Sequence, residues 1–142
     1  MVLLGTYQHA LDAKNRIIIP SKLMEELSGK LYIYPSANLT CIKLYDEAHW
    51  NKYTEQMDSV PLELRYLVGN RVFPNSQQIV PDAQNRVPLP PAMLQKVGIT
   101  GKNVVTVGMK DYCEIWDPDR YEEAQSAPLP PEIAKIIASM GF

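Results

Sequence analysis

The residues with the most chemical promise form a five-residue pattern that occurs twice: Asp12-Ala13-Lys14-Asn15-Arg16 and Asp82-Ala83-Gln84-Asn85-Arg86. In each copy an Asp and an Arg are separated by three residues. A guanidinium presents a planar fork of donors that matches a phosphate or the major-groove edge of guanine, provided the fork is held in one orientation. A carboxylate facing it across a tight turn supplies that hold. Opposite charges facing each other across strands contribute only about 0.2–1 kcal/mol to stability, too little to account for two copies. A plain surface ion pair in a turn remains the alternative. General acid catalysis by Asp12 and Asp82 is disfavoured, because the neighbouring Arg keeps each carboxyl ionised.

Other chemistries find little support in the chain. His9 and His49 are its only histidines, and neither has a Cys, His or carboxylate at metal-ligand spacing. Neither a glycine-rich phosphate loop nor a Ser or Cys nucleophile motif is present. Cys41 and Cys113 have no CxxC spacing and lie in apolar strands, so two buried, reduced thiols are expected. The expectation is a protein that is not an enzyme and carries neither cofactor nor metal. The net charge of −2 gives no general attraction to nucleic acid. Any such binding must come from a local basic patch. Met1-Val2-Leu3-Leu4 has no basic flank and is too short for a signal peptide, and no apolar run reaches membrane-spanning length. A cytoplasmic protein is therefore expected.

The elements that must position the two loops repeat as well. Arg16 is followed by Ile17-Ile18-Ile19-Pro20 and then Leu23, Met24 and Leu27. Arg86 is followed by Val87-Pro88-Leu89-Pro90 and then Met93, Leu94 and Val97. Ile42-Lys43-Leu44-Tyr45-Asp46 and Cys113-Glu114-Ile115-Trp116-Asp117 close the two copies. Such self-similarity marks one supersecondary unit used twice. Each unit of about 40 residues is near the size below which a chain rarely folds unaided, so the two should share a core.

The pattern predicts strands over 6–11 and 16–19 joined as a hairpin by a three-residue loop. That loop is a type I turn ending in a left-handed residue, and Asn15 and Asn85 occupy this last position. A short helix over 21–27 ends at Gly29. Strands follow at 31–34 and 40–45, and Asp46 caps a helix that runs towards Met57. A helix over 62–68 stops at Gly69-Asn70. The second copy then gives strands at 77–80, 86–89, 104–107 and 112–116, with a short helix at 91–97. Asp117-Pro118 starts another helix. Ala127-Pro128-Leu129-Pro130-Pro131 is a stiff linker, and Ile133, Ile136, Ile137 and Met140 recur at helical spacing. The Trp and Tyr residues at strand ends are read as core, and Arg65 and Arg71 as solvated.

Two Asp-x-x-x-Arg loops, each followed by Pro and a short helix, resemble the MraZ family, as do Gly5-Thr6-Tyr7 and Glu114-Ile115-Trp116-Asp117. The resemblance covers about residues 3–125. It implies an α+β, mainly β fold: a duplicated AbrB-like swapped hairpin, a double-ψ-like small β-barrel with short flanking helices. The organisation it implies is a first repeat at 5–47, a helical connector at 48–74, a second repeat at 75–118 and a helical tail at 119–142. The family's members are bacterial transcriptional regulators. They bind short G-rich direct repeats in double-stranded DNA upstream of the division and cell-wall gene cluster that includes their own gene, and they assemble as rings. By this resemblance the protein is cytoplasmic, nucleoid-associated and homo-oligomeric. Its DNA-binding residues are Lys14, Asn15, Arg16, Gln84, Asn85 and Arg86, with Asp12 and Asp82 orienting the loops. Where the family usually has Gly before the Arg, this chain has Asn15 and Asn85. The alternative is a protein-interaction module of the AbrB-type antitoxin kind, although such proteins usually carry one copy of the fold and a long wrapping tail.

Overall fold

Every strand of the first sequence copy pairs with a strand of the second, and β3 and β4 also pair with each other. The computed structural model describes residues 2–142, so Met1, part of the N-terminal stretch considered above, lies outside the described residues. The strands are β1 (Thr6–Ala10), β2 (Arg16–Ile18), β3 (Leu31–Pro35), β4 (Ile42–Asp46), β5 (Gln77–Ile79), β6 (Arg86–Pro88), β7 (Asn103–Gly108) and β8 (Cys113–Trp116). Six form an antiparallel sheet in the order β1-β7-β8-β4-β3-β5, and β2 pairs with β6 as a separate two-stranded ribbon. The order is palindromic with respect to the duplication. The hairpins β3–β4 and β7–β8 meet through β4 and β8, and each is flanked by the first strand of the other copy. The fold is α+β and mainly β. Its main sheet is open, with β1 and β5 as edges.

The local hairpin expected between residues 6–11 and 16–19 does not form a strand pair. β1 runs beside β7 from Thr6↔Val107 to Ala10↔Asn103, and β2 runs beside β6 with Ile17 opposite Val87. Apolar burial is the physical reason. Ile17, Ile19, Val87 and Leu89 are all at most 1% exposed. Exchanging strands between the copies brings them into one cluster with Leu31, Ile33, Ile42, Leu44, Val104 and Ile115. At roughly 1.5–3 kcal/mol for each large apolar side chain removed from water, this shared burial outweighs anything a lone three-residue ribbon could gain. The two copies do share one core.

The helices are α1 (Ser21–Met24), α2 (Glu47–Glu55), α3 (Leu62–Val72), α4 (Pro91–Lys96), α5 (Pro118–Ser126) and α6 (Pro131–Ser139). Asp46 caps α2 through the His49 N–H and is only 1% exposed; its second oxygen accepts from the Ser28 N–H. Asp117 caps α5 through the Arg120 N–H. Gly29 and Gly98 take positive φ where α1 and α4 give way to the following chain. α3 does not stop at Gly69. It continues to Val72 and passes into a 3₁₀ turn over Phe73–Asn75. An interior glycine costs a helix only about 1 kcal/mol, whereas Pro74 cannot donate to a continuing helix.

Beneath α2 and α3 lies a second cluster. Tyr34, Tyr45 and Val72 are buried there, with Trp50, Tyr53 and Tyr112 packed on them. The rings of Tyr45 and Tyr112 stack at 4.9 Å, and those of Tyr45 and Tyr53 at 5.1 Å. Tyr34 and Tyr45 are therefore core. Cys41 and Cys113 are free and buried. Burial pushes their thiols up, to about 11 and about 12 respectively. A thiol-reactive dye at neutral pH should thus label the native protein far more slowly than the guanidinium-unfolded protein. Rapid labelling of two thiols in the native state would contradict this burial.

Candidate nucleic-acid interface

The two loops leave β1 and β5 and enter β2 and β6. In the first, the Asp12 carbonyl accepts from the Asn15 N–H at 3.0 Å, and the Asp12 N–H donates to the Arg16 carbonyl at 2.9 Å. Asn15 takes φ 57°. In the second, the corresponding bonds are 2.9 and 3.1 Å, and Asn85 takes φ 60°. Each is a turn closed by a residue in the left-handed region.

The acid of each loop organises that turn. Asp12 Oδ1 accepts from the Lys14 N–H at 2.9 Å and the Arg16 N–H at 2.8 Å, while its Oδ2 accepts from Arg16 Nε at 2.8 Å. Asp82 repeats the pattern with Gln84 and Arg86, the bond from Arg86 Nε measuring 2.7 Å. The backbone N–H of Arg16, ahead of its guanidinium, holds the Asp12 carboxyl below the usual carboxylate range. The backbone N–H of Arg86 does the same for Asp82. Both carboxylates are ionised at neutral pH and serve as acceptors. They hold the Nε of each Arg, and among the described residues the terminal nitrogens of each fork make no hydrogen bond.

The structure brings the two loops together, which sequence reasoning missed. The Asn85 carbonyl accepts from the Ile19 N–H, and the Asn15 carbonyl from the Leu89 N–H, both at 2.9 Å. Arg16 Nη1 lies 3.9 Å from Asp82 Oδ2. The signal was present as equal spacing: Ile19 and Leu89 stand at the same offset from their own Asn in each copy. Positive φ at Asn15 and Asn85 therefore serves two purposes, ending the turn and aiming a carbonyl at the opposite copy. Ala13, Lys14, Ala83 and Gln84 form the exposed rim, while Asn15, Arg16, Asn85 and Arg86 are half-buried behind them.

A left-handed conformation costs a residue with a Cβ roughly 1–2 kcal/mol, more for a β-branched one, while glycine adopts it freely. Asn15→Val should therefore lower the melting temperature clearly, and Asn15→Gly should leave it close to the parent value. Thermal unfolding of both variants checks this; equal melting temperatures would show that the backbone at Asn15 is not a constraint.

Among the described residues, no group of three or more His, Cys, Asp or Glu side chains is placed to hold a metal. None of the helices there is long and apolar enough to cross a membrane.

What the fold and the site define is a duplicated α+β protein that presents two arginine loops side by side on a shared core. A family model described as "MraZ protein, putative antitoxin-like" matches residues 2–64 and 72–129. The chain is 32% identical to the transcriptional regulator MraZ of Clostridium tetani over 98% of its own length and 99% of that relative. It is 33% identical to that of Clostridium acetobutylicum over the same shares, and 34% identical to that of Spiroplasma kunkelii over 95% of this chain and 96% of the relative. The chain belongs to the MraZ family. These relatives are named as transcriptional regulators, which is not an enzyme class.

Proposed function

We propose that this protein is a sequence-specific, double-stranded-DNA-binding transcription regulator. Its targets are short G-rich direct repeats upstream of the division and cell-wall gene cluster that includes its own gene. One observation carries the reading: two Asp-x-x-x-Arg loops fixed against each other, each Arg held at Nε by an ionised Asp. Arg16 and Arg86 read guanine edges, Lys14 contacts phosphate, and Gln84 offers an amide at the matching place in the second loop. Asn15 and Asn85 set the backbone, with Asp12 and Asp82 orienting the forks. The fold belongs with the AbrB-like swapped hairpins, residues 5–47 and 75–118 being the two repeats. The exchanged partners of β1, β2, β5 and β6 support this.

The protein acts in the cytoplasm at the nucleoid as a cyclic homo-oligomer. With a net charge of −2 and few loop cations, a single subunit neutralises few phosphates and binds weakly. Linking several weak sites raises avidity by about 10²–10⁴. Direct repeats suit subunits related head-to-tail.

A gel shift of the purified protein on the DNA upstream of its own gene tests the reading. Binding should fall steeply when one repeat is deleted or when the spacing changes by half a helical turn. Equal binding to that DNA and to a scrambled sequence would reject it. The antitoxin-like wording of the matched family keeps a second reading in view, a module that docks another protein. Recovery of the untagged protein from cells with a stoichiometric small protein and no DNA would favour that second reading.

A further inference from the structure

Two helices present apolar faces that nothing among the described residues covers. On α6 and the Met140 that caps its C-terminus, Ile133, Ile136 and Met140 are 44%, 56% and 65% exposed. A nine-residue helix is marginal in water without a surface to pack on, and α6 lies beyond residue 129, where the family model ends. On α3, Leu64 and Leu67 are 48% and 58% exposed and share a stripe with Arg71. Arg71 lines a surface groove of about 200 Å³ together with Leu39 and Lys96, and no acidic residue lines that groove. Arg71 reaches only the Ala37 carbonyl at 3.5 Å, and Lys96 bonds Asn75 Oδ1 at 2.8 Å. Among the described residues neither cation has a carboxylate partner.

The two faces are complementary in length and in charge. Leu64 to Arg71 and Ile133 to Met140 each span two helical turns, about 10.5 Å. In an antiparallel pairing, Met140 meets Leu64 and Ile136 meets Leu67. Glu132, beside Ile136 on the helical wheel, then reaches Arg71 and Lys96. The pairing also sets the N-terminus of α6 against the C-terminus of α3, the favourable sense of the helix dipoles.

The two helices are tethered towards opposite ends of the main sheet. α5 anchors the arm at the β7 end, where Arg120 Nη1 donates to the Val97 carbonyl at 2.7 Å. α3 leads into the β3 end through buried Val72 and the Ser76 hydroxyl, which donates to the Val72 carbonyl. β8 and β4 lie between. A patch and its complement at different places on one molecule make a head-to-tail contact between copies. We propose that α6 of one subunit docks on the Leu64–Leu67–Arg71 face of α3 in the next subunit, with Glu132 facing Arg71 and Lys96. The proposal rests on the homo-oligomeric reading above and assigns its contact.

The test uses full-length protein. Ile136→Cys and Leu67→Cys variants are mixed and mildly oxidised; the native thiols are buried and do not compete. A disulfide-linked pair holding one chain of each variant, absent from either variant alone, is expected. In sedimentation, Glu132→Arg and Arg71→Glu should each weaken self-association about tenfold, and the doubly exchanged variant should recover it. Ile136→Asp should break the contact while leaving the melting profile of the subunit core unchanged. An oligomer that survives Ile136→Asp and gives no mixed disulfide overturns the docking and leaves the assembly reading intact. A wild type that stays monomeric while binding its DNA overturns both. A chain carrying both cysteines that closes on itself in dilute solution shows that the arm docks within one subunit and overturns the contact between copies.

Discussion

Replacing Arg16 or Arg86 by Ala is expected to cut operator affinity by roughly 1–3 kcal/mol each, the worth of one bidentate Arg–guanine contact. The geometry supports a loss of that size without a loss of fold. The Arg16 and Arg86 side chains are 26% and 30% exposed, and among the described residues the only short side-chain bond of each runs from Nε to the Asp of its own loop. The turn itself is closed by backbone bonds between Asp12 and Arg16 and between Asp82 and Arg86, which alanine retains. Lysine is no substitute, since it lacks both the planar fork and the Nε that the carboxylate holds. Because Arg16 also lies 3.9 Å from Asp82, the two losses should not be strictly additive. Lys14→Ala should instead weaken operator and scrambled DNA alike and reduce the salt dependence by about one counterion. Fluorescence anisotropy over a salt series separates the two behaviours. Two Arg variants that bind operator as tightly as the parent would remove the loops from the recognition surface.

The second large effect concerns folding. A fragment of residues 1–59 should remain unfolded. It retains only β3–β4 as a complete strand pair. β1 loses β7, β2 loses β6, β3 loses β5 and β4 loses β8. Ile17 loses the Val87 it faces, and Asn15 loses the Leu89 N–H its carbonyl accepts. An isolated hairpin is marginal in water, and a chain this short buries too little apolar surface to offset its conformational entropy. Far-ultraviolet circular dichroism and proton NMR of the fragment decide the matter. A cooperative thermal transition with dispersed amide signals would mean that one copy holds a sufficient core by itself.

The loops were legible because turn chemistry is local. Asp at the first position, Asn at the last and Arg just beyond determine the closing bonds and the sign of φ within five residues. Helix caps at Asp46 and Asp117 were legible for the same reason, and so was the amphipathic stripe of α6. The partners of the strands were not. Ile17-Ile18 reads as a strand under any pairing, and nothing in its alternation distinguishes Asp12's side of the loop from Val87 in the other copy. The choice was made by burial summed over both copies, which no short window contains. Gly69-Asn70 misled in the opposite way. Both residues are common helix ends, yet the tolerable cost of one glycine let α3 run on until Pro74 stopped it.

A pair of identical half-chains would have to present two identical loops, and any surface built from them would be symmetric under exchange. Joining the halves lifts that obligation. Here the tips have already drifted apart: Lys14 in one carries a charge where Gln84 in the other carries an amide. The backbone bonds from Ile19 to Asn85 and from Leu89 to Asn15 keep both tips in register while they do so. The molecule thus has a front and a back. A target gripped by both tips at once need not be a palindrome, and substitutions at one tip can accumulate without being imposed on the other.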